Sequence, residues 1–195
     1  MRLRLVLSAV LVLVLVLVVC GCDSPRAEVG PSGRLTPEEL GVYSALVAED
    51  LDRGFLGPLY LFDEASTEYE IPGGMYRKNP RVALDSTTMR DFAARQALRI
   101  PLRGTGIERG ENVRWVASDE LDAVFDSERA SLFTLPWSFQ GVIGLSPAGF
   151  NADRTQALVY VTLACPMCGH TAWYVLERSP GGRWRVVEKI PHAYS

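Results

Sequence analysis

The sequence predicts an α+β domain in which N-terminal helices pack on a C-terminal four-stranded antiparallel meander. Two patterns carry that expectation. In the first half of the chain, apolar residues recur at spacings of three and four behind helix-start signals. After Trp137, four β-prone runs follow one another across links short enough to be hairpin turns, which makes successive strands antiparallel neighbours.

Before the domain comes an address. Residues 1–21 begin with Arg2 and Arg4, continue through an apolar run from Leu5 to Val19 broken only by Ser8, and end in small residues, as an export signal does. A spanning helix is the competing reading, because the run is only slightly shorter than the roughly 20 residues a bilayer crossing needs. The ending decides between them. Val19-Cys20-Gly21-Cys22 resembles the lipobox of bacterial lipoproteins, and Gly21 supplies the small residue expected just before the acylated cysteine, so Cys22 is the predicted lipidation site. Several acyl chains hold a protein to a bilayer far better than one. Residues 22–35 then form the lipid attachment and a polar tether rich in Ser, Pro, Gly and Arg, and residues 36–195 form a single globular domain.

The formal net charge is −3, and loss of Arg2 and Arg4 with the signal makes it more negative, so nucleic acid is not an expected partner. The chain holds 18 arginines against two lysines, a bias that fits GC-rich coding better than phosphate recognition.

Within the domain, Thr36-Pro37-Glu38-Glu39 is a helix start: a hydroxyl cap, proline where no amide partner is needed, and glutamate at the capping-box position. Leu40, Tyr43, Val47 and Leu51 then share one face, and Gly54 offers a stop. LGPLYLFDEAST (56–67) reads as a buried strand entering a polar turn, and the Pro- and Gly-rich stretch after it as a loop. A second helix begins around Asp85 to Thr88, carries Met89, Phe92, Ala93 and Gln96 on one side, and ends near Arg99 because Pro101 disfavours helix in Ile100. ENVRWVAS reads as a short strand and SDELDAVF as a short helix. GVIGLSPAGF, TQALVYVTLA, TAWYVLER and RWRVVEKI are the four meander strands, separated by NADR, CPMCGH and SPGG.

The last fifty residues resemble the C-terminal half of an uncharacterised group of exported bacterial proteins. The shared pattern falls here on Ser146, Gly149, Phe150, Asn151, Thr155, Ala157 to Val161, Cys165, Cys168, Gly169, Tyr174, Gly182, Trp184 and Ser195. Weaker similarity runs back through Phe139, Phe133, Asp91-Phe92 and the Tyr43 helix. The resemblance implies no activity. His170-Thr171 departs from it, standing where small residues usually follow the second cysteine. By analogy of layout, a helix on a curved antiparallel sheet is also reminiscent of the cystatin-like or nuclear-transport-factor-like arrangement, whose cone holds small ligands.

The candidate chemistry is sparse. CPMCGH holds Cys165 and Cys168, the only cysteines outside the N-terminal region. A metal knuckle needs four ligands; Cys165, Cys168 and His170 supply three, with His192 as a fourth on paper. A redox pair of the thioredoxin kind needs a helix after the first cysteine, and here a strand follows. The remaining reading is a Cys165–Cys168 disulfide that stiffens the turn outside the cytoplasm, worth about 1 to 3 kcal/mol for so short a loop. Trp115, Trp137, Trp173 and Trp184 read as core, the last two packing across consecutive hairpin strands. Glu49, Asp50 and Asp52 are expected to be solvated charge on the exposed side or end of the first helix. No GxSxG, HExxH or P-loop occurs, and no catalytic residue or cofactor is expected.

The expected protein is a non-enzymatic accessory or binding module, lipid-anchored to a membrane and facing outside the cytoplasm. A small-molecule binder or enzyme built on a cone, and a metal-handling lipoprotein using the CPMCGH turn, are the alternatives.

Overall fold

A computed structural model describes residues 33–51, 59–66, 81–107, 113–117, 142–165 and 168–194. The signal, Cys22, most of the tether, Gly54, the expected helix in SDELDAVF and Trp137 lie outside the described residues. Contacts divide the chain into Met1–Gly30 and Pro31–Ser195, and everything described belongs to the second unit. Among the described residues no helix is long and apolar enough to cross a membrane.

Helix α1 (Pro37–Leu46) starts where the capping box places it. The Thr36 hydroxyl accepts from the Glu39 N–H at 3.3 Å, and the Glu39 carboxylate accepts from the Thr36 N–H at 2.9 Å. It does not run on as an α-helix, because residues Val47–Leu51 form a π-helical turn. The short strands β1 (Leu59–Phe62) and β2 (Glu64–Ala65) follow. Helix α2 (Ser86–Arg95) is capped by Asp85, whose carboxylate accepts from the Thr87 N–H at 2.7 Å. Thr88 and Phe92 are its buried residues, while Ala93 is exposed. Then come β3 (Ile100–Pro101), β4 (Val113–Val116), β5 (Val142–Leu145), β6 (Gly149–Phe150), β7 (Gln156–Cys165), β8 (Cys168–Arg178) and β9 (Trp184–Tyr194).

The sheet corrects the predicted fold class. It is one seven-stranded mixed sheet in the order β4-β1-β5-β7-β8-β9, with β6 also paired to β7, and not a four-stranded meander under N-terminal helices. β1 runs parallel to both β4 and β5, whereas β5–β7, β7–β8 and β8–β9 are antiparallel. The reason for the error is physical. Parallel neighbours are joined by long crossovers, so their pairing leaves no turn signal between them, and β1 and β4 read as isolated runs. The cystatin-like or nuclear-transport-factor-like arrangement falls with the meander.

The two helices cover opposite faces. On one, Val42, Tyr43 and Leu46 of α1 and Val47 and Leu51 of the π-turn pack on Leu61, Leu145, Val159, Val161, Ala172 and Trp184. On the other, Phe92 of α2 packs with Leu158, Tyr160, Trp173, Val175 and Ile190. A sheet covered on both sides explains why Ala157–Val161 and Ala172–Leu176 are buried without alternation. Fully buried leucines such as Leu46, Leu61 and Leu158 each contribute roughly 1.5–3 kcal/mol.

Two glycines set the closeness of the layers. A Cβ on Gly149 would lie 2.3 Å from Phe92 Cβ and 2.4 Å from Phe92 Cα, so α2 rests with its backbone directly on β6. A Cβ on Gly41 would lie 2.8 Å from Trp184 Cδ1, which brings α1 down on that indole.

Strand β9 ends the ladder, and its edge is blunted. Its pairing shifts register between Thr171 and Ala172 and again between Val175 and Leu176, and Pro191 brings no N–H to the outer edge. The Val186 N–H is taken by the Glu49 carboxylate at 3.0 Å. Pairing with a second chain is thereby disfavoured.

Candidate functional site

The polar residues of the S-x-x-GFN-x-x-x-T pattern lie together, at the junction of β5, β6 and β7. Ser146 is buried; its hydroxyl accepts from the Tyr160 N–H at 2.9 Å and donates to the Pro147 carbonyl at 3.1 Å. From α1, the Tyr43 hydroxyl donates to the Ser146 carbonyl at 3.0 Å and accepts from the Ala148 N–H at 3.2 Å. Burial, and then the charge of Glu39, push the Tyr43 phenol well above its ordinary range, so it stays a neutral donor.

Asn151 organises the turn into β7. Its side-chain oxygen accepts from the Thr155 and Gln156 N–H groups at 2.9 and 2.8 Å, and its amide donates to the Thr155 hydroxyl at 3.0 Å. Gln156 reaches the start of α2, accepting from the Asp85 N–H at 2.8 Å and donating to the Ala83 carbonyl at 3.0 Å. Asp91 accepts from the Phe150 N–H at 2.8 Å. Each of these groups closes a backbone gap between α2, the turn and β7. The turn ends in Arg154, at φ 56°, a left-handed conformation that costs a side-chain-bearing residue roughly 1–2 kcal/mol.

Two open clefts flank this junction. One, of about 450 Å³, lies between Ala83–Asp85 and residues Thr155, Gln156, Glu177 and Arg178. The other, of about 390 Å³, runs between α2 and the turn, with Arg90 on one wall and Arg154 on the other.

A second polar cluster lies under the π-turn. Asp50 accepts a hydrogen bond from the Tyr174 hydroxyl and another from Lys189 Nζ at 2.9 Å, and the Lys189 ammonium also lies 5.2 Å from the Tyr174 ring centroid. Burial pushes the Asp50 carboxyl up, but the bonds from Tyr174 and Lys189 and the Lys189 charge together hold it below the ordinary aspartate value. Burial and then the Lys189 charge hold His170 below the ordinary histidine value, with Asp50 partly opposing. Glu49 and Asp50, expected as solvated charge, are thus bonded to the sheet; Asp52 lies outside the described residues. The wider π-turn carries both acids to the strands, and an ideal helical period does not anticipate it.

Both shifts have the same sign for stability. The unfolded chain binds more protons at Asp50 and at His170 than the folded one, so stability rises with pH through each window. The Asp50 contribution is present above about pH 4 and is lost as pH falls towards the lowered value, and His170 disfavours the fold as pH drops below about 6.5. Asp50→Asn is expected to flatten the acid limb of a stability–pH profile measured by urea midpoints. An unchanged limb would mean the cluster does not couple to folding.

Cys165 and Cys168 are register partners that close the β7–β8 hairpin; their side chains, and hence the expected disulfide, lie outside the described residues. His170 pairs with Leu163, a member of the core beneath α1, whereas the His192 ring lies 6.4 Å from that of Tyr160 on the opposite face. His192 therefore does not join His170 in one site. Among the described residues no group of three His, Cys, Asp or Glu is placed to hold a metal.

The described tryptophans are split too. Trp115 and Trp184 pack in the core under α1, and Trp173 packs on the α2 side against Phe92 at 5.1 Å and Tyr160 at 4.5 Å. Trp173 and Trp184 do not pair across the hairpin, because Trp173 faces Ile190 and Trp184 faces Arg178.

Comparison of the chain with protein-family models, with curated proteins and with solved structures returned no match. The resemblance to exported bacterial proteins therefore rests on the quoted residues alone.

Sequence reasoning missed Glu39 as more than a cap. It is fully buried and forms an ion pair with Arg95, joining the start of α1 to the end of α2. The one available signal was a capping-box glutamate one turn before the buried Tyr43 face.

Proposed function

We propose that the chain is a lipid-anchored, non-enzymatic accessory or binding domain of the bacterial cell envelope, attached at Cys22 and displayed outside the cytoplasm. The observation that carries the non-enzymatic part is the use made of the polar residues. Ser146, Asn151, Thr155, Gln156 and Tyr43 spend their hydrogen bonds on backbone groups, on one another and on the neighbouring Asp153 and Thr88 side chains. A catalytic constellation instead aims a nucleophile, a base and its orienting group at a common reacting atom. The anchoring part rests on the Val19-Cys20-Gly21-Cys22 sequence after an arginine-led apolar run.

The test separates anchor from domain. In a bacterial host, the wild-type chain is expected to incorporate labelled palmitate and to sediment with membranes. A Cys22→Ser variant should lose the label while keeping the same urea midpoint, because Cys22 lies outside the unit Pro31–Ser195. A Cys22→Ser protein that still takes up palmitate would contradict the assignment.

A further inference from the structure

From the groove between α2 and the β6–β7 turn, we infer that this domain binds a phosphate group between Arg90 and Arg154. The inference deepens the binding-module reading by naming its ligand chemistry, and it rests on that reading. The groove, about 390 Å³ and open to solvent, is lined by Thr87, Arg90, Asp91 and Ala94 along one side of α2, and by Phe150 and Arg154 opposite. Among the described residues neither guanidinium meets a carboxylate. The acid within the groove, Asp91, is already held by the Phe150 N–H at 2.8 Å, and the neighbouring Asp153 accepts from the Thr155 hydroxyl at 2.8 Å.

Arg154 is also placed with little freedom. Asn151 fixes the turn through three side-chain hydrogen bonds, and the Arg154 guanidinium lies 5.2 Å from the centroid of the buried Phe150 ring. The φ of 56° is one that glycine adopts without strain, so this position keeps a long cationic side chain against its backbone preference. A guanidinium held over a ring keeps its N–H edges for an acceptor in the plane of the fork. Two guanidinium forks on opposite walls, Arg90 and Arg154, suit a tetrahedral oxyanion, which offers oxygens to both sides, better than a single planar carboxylate, which one fork satisfies. The apolar surface of Ala94 beside them can accept the carbon attached to a phosphate ester.

The experiment uses the full-length chain in neutral detergent, titrated with glycerol phosphate and, separately, with nanodiscs of phosphatidylglycerol or of phosphatidylcholine. Binding is read by calorimetry and by shifts of the Ala152–Arg154 backbone amides. Saturable binding of glycerol phosphate assigns the groove to a soluble phosphate ester. Saturable shifts at those amides with phosphatidylglycerol discs alone assign it to a lipid headgroup, and either supports the inference.

Arg154→Gly removes the guanidinium and relieves the backbone, so its Tm is expected to hold or rise while affinity falls by roughly tenfold or more. Arg90→Gln should weaken binding to a similar degree, and both losses should shrink as salt is raised. Absence of saturable binding to any probe, or full affinity in the folded Arg154→Gly protein, would overturn the phosphate site. Neither result touches the palmitate test, so failure of this inference and failure of the anchoring proposal are told apart.

Discussion

Gly149→Ala is expected to lower stability by about 3 kcal/mol, at the upper end of what overpacking costs. The added methyl would sit 2.3–2.5 Å from the Cβ, Cα and N of Phe92. Two of those atoms are helix backbone, so relief requires α2 to move as a body. That movement would strain the Asp91 bond to the Phe150 N–H and the Gln156 bonds to Asp85 and Ala83. Gly144→Ala is the internal control. Its Cβ would approach Thr162 Oγ1 at 2.5 Å, the end of a side chain that can rotate, so the cost should be clearly smaller. Urea midpoints at constant m measure both. Equal losses in the two variants would show that α2 does not lie on β6 as described.

The second large effect is expected at Glu39. Its carboxylate is fully buried, accepts from both the N–H and the hydroxyl of Thr36, and pairs with Arg95. Glu39→Ala removes the reciprocal half of the capping box and leaves the guanidinium mostly buried and unpaired, at an expected loss of about 3–5 kcal/mol. Arg95 Nε already lacks a partner among the described residues, so little else is there to take the charge. Exchanging both residues for apolar ones, Glu39→Leu with Arg95→Met, should cost less than Glu39→Ala alone, because no buried charge is then left uncompensated. A double variant as unstable as the single one would mean that the ion pair itself, and not the orphaned charge, dominates.

Much of the local structure was legible in the chain. Thr36 with Pro37 and Glu39, and Asp85 before a periodic segment, announce helix starts through bonds made within four residues. NADR and SPGG announce hairpins for the same reason. The sheet as a whole was not legible, since the parallel contacts of Leu59–Phe62 with Val113–Val116 and with Val142–Ile143 join segments far apart in sequence. Nor does apolar periodicity show which face of a sheet a helix will cover. That choice placed His170 and His192 on opposite faces and separated Trp173 from Trp184. The π-turn was hidden as well, because Val47 and Leu51 fit an ordinary helical spacing while Glu49 and Asp50 turn to the strands.

At the junction of β5, β6 and β7, the motif residues Ser146, Asn151 and Thr155 could be singled out by pattern, but their structural roles could not. Their partners are backbone groups and side chains that only the packing of α2 and α1 on the sheet brings near, such as the Tyr43 hydroxyl 103 residues away from Ser146.

The most direct measurement is the intact mass of the protein extracted from bacterial membranes, followed by that of its N-terminal peptide. The proposal predicts a chain that starts at Cys22 and carries the mass of a diacylglyceryl group with an amide-linked acyl chain. A chain that retains residues 1–21, or one with an unmodified thiol at Cys22, would contradict it.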